Sequence, residues 1–178
     1  MHNAKQLKKQ KGITLMEVIA GLLIIGLVVS GALSLFGSAD SAQKSNQMTS
    51  DLTALRSAVK GLYASQGGYG TANINGTLKN SKRIPSTMTV DASTPPVITH
   101  SMNGTVTVTG ATSQYSMVVT NIPTDVCVNL LTSSSSGWVS IKVGAAAAIT
   151  TFPIDPATAA SATNCAASDA NTLTFTGA

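Results

Sequence analysis

The first strong pattern along the chain is a continuous apolar run over residues 13–36. Within these 24 residues, four side chains are neither apolar nor glycine: Thr14, Glu17, Ser30 and Ser34. As an α-helix the run would be about 36 Å long, which is enough to cross a hydrocarbon core of about 30 Å. The pattern therefore predicts a transmembrane helix over residues 13–36.

A second pattern, with the period of one helix face, follows that run. Its apolar positions are spaced alternately by four and three residues, at Met48, Leu52, Leu55, Val59 and Leu62. Charged side chains fall off this stripe, at Lys44, Asp51, Arg56 and Lys60. The first proline is Pro85, and Gly67 followed by Gly68 is the first strong helix stop. We therefore predict one helix over residues 13–66, half of it a membrane span and half a spine that packs against a head.

Beyond this helix, apolar and polar residues alternate with the period of a β-strand. The alternation predicts four strands, of which the first two form an antiparallel hairpin: 105–109, 114–120, 138–143 and 172–176. A long helix followed by antiparallel strands is typical of an α+β fold. Residues 67–178 are therefore predicted to form a globular head packed on the spine.

Short helices and turns are expected between these strands. One helix is predicted over 123–131, and another begins at Asp155, where an N-cap aspartate precedes a proline, and runs towards Cys165. Residues 69–104 are rich in turn signals, including the Asn-Gly pairs at 75–76 and 103–104.

The charges are unevenly distributed. The formal net charge is +4, and all of it comes from four lysines within the first 12 residues, at Lys5, Lys8, Lys9 and Lys11. A basic segment before an apolar span keeps the N-terminus in the cytoplasm, so the rest of the chain is predicted to be exported. From Gly67 onward there are eight charges in 112 residues, whereas a soluble domain carries about a quarter charged residues. This scarcity favours a head that packs among copies of itself.

Glu17 is the one glutamate of the protein, and it lies inside the apolar run. An ionised carboxylate there costs about 2.5–3.5 kcal/mol of insertion free energy. The sequence has no lysine or arginine between Gly12 and Lys44. Cleavage between Gly12 and Ile13 would supply a cation, the new α-amino group. The alternative is an ordinary secretory signal that is cut near the small residues ending at Ala39.

Residues 11–19, Lys-Gly-Ile-Thr-Leu-Met-Glu-Val-Ile, resemble the leader junction of type IV prepilins. The resemblance implies that a prepilin peptidase removes the basic leader 1–12 after Gly12 and methylates Ile13. It implies that Glu17 pairs with an N-terminal amine during assembly. It also implies a precursor in the bacterial inner membrane, which inner-membrane pilus machinery then assembles into a helical homopolymer. Ile13 in place of phenylalanine and the absence of a mid-helix proline resemble the type IVb branch, although that branch often has a longer leader.

Cys127 and Cys165 are the two cysteines of the chain. In an exported protein an even number of cysteines predicts a disulfide, which would stabilise the head by about 4 kcal/mol, and two separate buried thiols are the alternative. A short helix around Cys127 and a terminal strand after Cys165 are also similar to the C-terminal disulfide region of type IVb pilins.

The sequence carries few candidates for other chemistry. His100 is the one histidine beyond the leader, and we expect a solvated loop residue with no metal or catalytic role. Lys79, Lys82 and Arg83 form a small basic patch that is more typical of a solvated loop than of a nucleic-acid site. No phosphate loop or dinucleotide fingerprint is present, and no cofactor or enzymatic activity is predicted.

The sequence therefore predicts a structural subunit, a type IVb major pilin. Within the resemblance, the alternatives are a minor pilin and a type II secretion pseudopilin, whose major forms typically use a calcium site rather than a disulfide. A secreted binding module or enzyme with a cleavable signal is the alternative from another class, and its cleavage would fall near Ala39.

Overall fold

The structure is a computed structural model that describes residues 15–133, 137–165 and 170–178. It divides the chain into two compact units, Met1–Ala39 and Asp40–Ala178. The helices are α1 (Leu15–Tyr63), α2 (Asn75–Asn80), α3 (Thr124–Ser133) and α4 (Pro156–Ala159). The strands are β1 (Thr89–Val90), β2 (Ile98–Thr99), β3 (Thr105–Ala111), β4 (Gln114–Ile122), β5 (Ser140–Val143) and β6 (Asn171–Gly177).

Helix α1 is continuous over 49 residues, as the lack of proline before Pro85 predicts. Its first part forms the described portion of the N-terminal unit, and its second part belongs to the C-terminal unit. The helix ends at Tyr63, slightly before the expected stop, and Gly67 follows with a φ of +63°. Glycine adopts this left-handed conformation without the steric cost that a Cβ adds.

All six strands form one antiparallel sheet in the order β1-β2-β3-β4-β6-β5. The predicted hairpin is confirmed as β3 and β4, whose register pairs Ala111 with Gln114. The chain then leaves through α3 and returns as β6 beside β4, while β5 pairs with the other side of β6. The α+β fold predicted from the sequence is confirmed.

The core lies between the second part of α1 and one face of the sheet. The predicted stripe is buried there, with Met48, Leu52, Leu55 and Val59 at most 1% exposed and Leu62 partly buried. Strand residues alternate between buried and partly exposed along β3, β4 and β6. Complete burial of the four stripe side chains contributes on the order of 6–12 kcal/mol. Apolar packing is therefore the main interaction that holds the spine on the head.

Two local predictions differ from the structure. Asn75-Gly76 was predicted as a turn but begins α2, because the Asn75 side chain is buried and bonded to the sheet.

Asp155 is the N-cap of α4 as predicted, and its carboxylate accepts hydrogen bonds from the backbone of Ala157 and Thr158. The helix ends at Ala159 instead of running towards Cys165. The Ser161 hydroxyl and the Asn164 side-chain amide donate hydrogen bonds to the Thr158 carbonyl, which favours a turn there.

Candidate functional site

The sequence associates three residues at or before the start of α1 with processing and assembly: Gly12, Ile13 and Glu17. Gly12 and Ile13 lie outside the described residues. Glu17 lies in the first turn of α1, and its side chain is exposed. A carboxylate at this position is favoured by the partial positive charge at the N-terminus of a helix.

Apolar side chains surround Glu17 on the helix. Leu15 and Met16 are 78% and 79% exposed. Among the described residues, Leu15–Ala32 is the helical segment that is long and apolar enough to cross a membrane, with a mean hydropathy of 2.3 and none of it buried. So much apolar surface is unstable in water. This part of α1 must therefore be covered by lipid or by other apolar protein surface.

Arg56 lies on the second part of α1, where the sequence predicts a side chain pointing away from the core. The structure instead has it half-buried, with its guanidinium carbon 5.4 Å from the centroid of the Trp138 ring. That distance is typical of a cation–π contact. A Cβ added to Gly137 would lie 2.2 Å from Nη1 of Arg56. Because Gly137 has no side chain, it leaves room for the Arg56 guanidinium, which contacts the chain before β5 from the spine.

Ring contacts continue from Trp138 across the core. The rings are 4.9–6.3 Å apart between centroids, in the order Tyr63, Tyr69, Tyr115, Trp138 and Phe175. Burial raises the pKa of Tyr115 to about 12, although the charge of Arg56 opposes the increase. The aromatic row therefore connects the end of α1 with β4 and β6.

Cys127 and Cys165 form a disulfide, which confirms the predicted pairing. Their Cα atoms are 5.9 Å apart, and the two residues are separated by 38 positions in sequence. Both are buried. The bond joins α3 to the segment after α4, and it encloses β5 within the loop that it closes.

His100 corrects a prediction, because it is 3% exposed rather than solvated. Its Nε2 donates to the carbonyl of Thr120 at 2.9 Å, and its Nδ1 accepts from the backbone N–H of Met102 at 3.3 Å. Burial lowers the pKa of His100 below its ordinary value, while the Thr120 carbonyl and the charge of Asp51 oppose this. Both ring nitrogens are engaged, so the residue links the β2–β3 turn to β4.

Asp51 is a second buried polar residue that the sequence did not place in the core. It is 6% exposed, although it falls off the apolar stripe of α1. Its carboxylate accepts from Nε2 of Gln47 at 3.0 Å and from the hydroxyl of Thr87 at 2.7 Å. Thr87 lies on the chain before β1, a region in which the sequence showed no clear element.

Asn75 is a third buried polar residue that sequence reasoning missed. Its Nδ2 donates to the carbonyls of Pro96 and Val106, and its Oδ1 accepts from the backbone N–H of Val108. These bonds hold α2 against β3. The local pattern was an Asn-Gly turn signal, and its partners are at least 21 positions away, so nothing nearby in the sequence predicts them.

The basic patch at Lys79, Lys82 and Arg83 lies at the surface of the head. Lys82 and Arg83 are exposed, and Nζ of Lys79 donates to the backbone carbonyl of Asp91 at 2.6 Å. Hydrogen bonds from the Ser93 hydroxyl and then from the backbone N–H of Val97 lower the pKa of the Asp91 carboxyl. Local contacts therefore hold Lys79 and the loop that contains Asp91 in place.

The exposed apolar helix and the compact head are features of a subunit that assembles with other copies of protein, rather than of a catalytic site. Within the described ranges, no three His, Cys, Asp or Glu side chains lie together as metal ligands. The surface that most needs a partner is an apolar helix with one carboxylate in its first turn, and it continues into a compact head closed by a disulfide.

Two known family models match the chain. Residues 7–33 match the prokaryotic N-terminal methylation motif, and residues 42–178 match the family described as PilS N terminal. No curated protein matches the chain significantly.

A methylation motif on an apolar helix, followed by an antiparallel α+β head with a disulfide, defines a type IV pilin. The motif implies processing by a prepilin peptidase and assembly into pili, from a precursor in the inner membrane to an extracellular filament. The chain belongs to the PilS N-terminal family, whose match over residues 42–178 includes the whole head.

Proposed function

We propose that this pilus subunit is the major pilin of a type IVb pilus, which forms a filament for adhesion, aggregation or conjugative contact. The observation that carries the proposal is the exposed apolar part of α1 with Glu17 in its first turn. In a filament, apolar helices from successive copies would cover one another. A head-to-tail contact that does not close into a ring generates such a helical polymer.

Maturation is proposed to follow the prepilin route. A prepilin peptidase would remove residues 1–12 between Gly12 and Ile13, and Ile13 would be methylated on its new amine. Residues 13–66 would then form the N-terminal helix, with 13–36 in the membrane, and residues 67–178 would form the head. The match to the methylation motif over residues 7–33 supports this division.

Glu17 is proposed to pair with the N-terminal amine of a neighbouring subunit. Burying an amine and a carboxylate together costs less free energy than burying either charge unpaired, because their mutual attraction offsets part of the desolvation penalty. The pair would therefore select a neighbour at the correct axial position. The inner-membrane pilus machinery would supply the energy of extraction from the lipid.

The disulfide supports a pilin over a major pseudopilin of type II secretion, a class that typically uses a calcium site rather than a disulfide. The loop between Cys127 and Cys165 closes around β5. A minor pilin at the tip would share these features, and its low abundance in the filament would distinguish it. A secreted module with an ordinary signal peptide would lack the methylation motif.

Mass spectrometry of the mature protein together with electron microscopy of shed filaments tests the proposal. We expect a mass that lacks residues 1–12 and includes one additional methyl group, in filaments composed mainly of this chain. A mature N-terminus beyond Phe36 would contradict the pilin function. Filaments in which the chain is a trace component would identify a minor pilin.

A further inference from the structure

Three exposed cations come together where the end of α1 meets the chain after α2. Arg83 lies against α1, because a Cβ added to Gly61 would be 3.0 Å from Nη1 of Arg83. Lys60 precedes Gly61 in the last turn of α1, and Lys82 precedes Arg83. All three residues are exposed, and the one ion pair found among the described residues of the head involves none of them. We call Lys60, Lys82 and Arg83 the basic corner.

Lys82 occupies a backbone position that favours glycine. Helix α2 ends in a Schellman motif, in which the backbone N–H of Lys82 donates to the carbonyl of Lys79 and that of Arg83 donates to the carbonyl of Leu78. The φ of Lys82 is +54°, in the left-handed region. Glycine is the usual residue there because a Cβ adds a steric cost. Since lysine is less favourable than glycine for ending α2, the folding of the head does not explain the charge at this position, and such backbone strain is typical of functional sites.

An exposed carboxylate lies towards the other end of the head. Asp125 is in the first turn of α3. The last turn of α3 lines a surface cavity together with Ala42, Ser45 and Asn46 of α1. From Asn46 to Gly61, α1 advances about 22 Å at 1.5 Å per residue. The basic corner and Asp125 form no ion pair within one subunit, because they belong to different ends of the head.

Other carboxylates of the described head have partners close to them in the fold. They pair with a lysine, accept hydrogen bonds in the core or in a loop, or cap a helix: Asp40, Asp51, Asp91 and Asp155. Asp125 accepts a hydrogen bond from the backbone N–H of the adjacent Val126 at 2.9 Å. Among the described residues, Asp125 is therefore the exposed carboxylate most accessible to a cation from outside the head.

The charge balance of the chain narrows the class of partner. The formal net charge of +4 is carried by the four leader lysines, so the chain without its leader is formally neutral. Nucleic-acid binding requires a larger number of phosphate-neutralising cations. Arginine is enriched at protein interfaces, where its planar guanidinium binds both oxygens of a carboxylate. The basic corner therefore fits a carboxylate on a protein surface.

We propose that the basic corner of one subunit binds Asp125 of a second copy of the chain. The Arg83 guanidinium would contact the carboxylate directly, and Lys60 and Lys82 would add attraction. Because the two surfaces differ and lie towards opposite ends of the head, the contact is head-to-tail and repeats from copy to copy without closing. The proposal rests on the proposed pilus function and names a contact between heads, separate from the contact proposed for Glu17.

Reversal and exchange of charge test the contact in the full chain. Lys82→Glu with Arg83→Glu should lower the yield of sheared filaments at least about tenfold, because like charges then face each other. Asp125→Lys should have the same effect, and the three substitutions combined should restore much of the yield. Lys142→Glu, the same change at an exposed lysine of β5, is the matched control and should assemble as the wild type does. Wild-type yield from either reversal, or no rescue by the exchange, would overturn the proposal.

Lys82→Gly separates docking from folding. Glycine relieves the left-handed backbone, so the urea midpoint of the detergent-solubilised variant should equal or exceed that of the wild type. The yield of filaments should nevertheless fall at least about threefold, because one of the three cations is lost. A lower midpoint would show that Lys82 serves the fold, and an unchanged yield would show that its charge does not serve assembly. Either result would overturn the proposal.

Cross-linking with a carbodiimide, which joins a lysine amine directly to a carboxylate, tests the pairing itself. Shed filaments should give covalent dimers with an amide between Lys82 or Lys60 and Asp125 of another copy, whereas dilute solubilised subunits should give none. Dimers that lack this link would overturn the proposal. Retention of duplex DNA by the wild type that is lost in the reversal variant, without a change in filament yield, would assign the basic corner to a polyanion and also overturn it.

The same measurements distinguish failure of the contact from failure of the pilus function. If no filaments form but concentrated subunits give the dimer linked through Asp125, the pilus function fails and the contact stands. If filaments form and the reversal variants assemble as the wild type does, the contact alone fails.

Discussion

At the scale of the residue, His100 couples the stability of the head to pH. Its pKa is lowered in the fold by burial, so the unfolded chain takes up the proton first as the pH falls below about 6.5. Stability is complete above that pH and decreases below it, towards the lower pKa of the folded state. We expect the slope to reach at most about 1.4 kcal/mol per pH unit, because one proton is involved.

Urea unfolding of the detergent-solubilised chain between about pH 7.5 and about pH 5.5 measures this slope. The His100→Gln variant should lose about 1–2 kcal/mol at the higher pH because of weakened hydrogen bonds, and its slope should be flatter. Equal slopes for the two proteins would mean that His100 does not control this transition.

Asn75 provides a second test at the same scale. Asn75→Ala removes three hydrogen bonds and leaves the backbone groups of Pro96, Val106 and Val108 without this partner in the interior. We expect a loss of about 2–4 kcal/mol in the free energy of unfolding. Asn80→Ala, at the exposed end of α2, is the control and should change stability by less than about 0.5 kcal/mol. Similar losses for both variants would argue against an anchoring role of Asn75.

At the scale of the element, the disulfide orders the region between α3 and the end of α4. Closing a loop of 38 residues contributes about 4 kcal/mol by chain entropy, which is a large part of the net stability of a small domain. Cys127→Ser should therefore still reach the inner membrane, since its apolar helix is unchanged, but should be degraded or fail to assemble.

Immunoblots of membrane and sheared-filament fractions measure this outcome, with Ser133→Ala, at the end of α3, as the control that keeps the bond. Thiol labelling of the denatured, non-reduced wild type should detect no free cysteine. Two reactive thiols per chain would refute the bridge in the exported protein.

The two parts of helix α1 have different surroundings: the second part packs against the sheet, and the first part is exposed. Its second part is fixed on the sheet by the buried stripe and by Arg56 over Trp138. Its first part exposes nearly every apolar side chain that the structure describes. One continuous helix therefore allows the apolar part to change its surroundings from lipid to protein without refolding of the head.

At the scale of the whole molecule, the role proposed for Glu17 would connect insertion to assembly. Glu17→Ala removes a carboxylate that is costly in the hydrocarbon core, so processing and insertion should proceed. In the proposed filament, the substitution leaves the amine of the neighbouring subunit buried without its opposite charge, which is strongly unfavourable. We expect filament yield to fall below detection while the membrane-bound subunit remains at wild-type level.

Sheared-filament yield relative to the membrane pool measures this effect, and Glu17→Asp, which keeps the charge on a shorter side chain, should restore part of the yield. Wild-type amounts of filament from Glu17→Ala would show that charge pairing does not drive assembly.

The sequence by itself determined the elements whose signals are local and periodic. The apolar run, the stripe from Met48 to Leu62, the β3–β4 hairpin and the Asp155 N-cap follow from residues close together in the chain, because helix and strand periods are set by neighbouring positions. The N-terminal motif was also readable, since its basic, glycine, apolar and acidic residues form one short segment.

Only the tertiary structure decided the places of His100, Asp51 and Asn75. Each is polar and looks solvated or turn-forming in its local sequence, but each is buried because distant partners satisfy its hydrogen bonds. Burial of a polar group is stable only when such partners are present, and their proximity depends on how the sheet is ordered. The alignment of Thr109, Ser116, Thr176 and Ser140 across four paired strands has the same origin. Strand order and register bring four separate strands into line, and neither can be read from the period of a single strand.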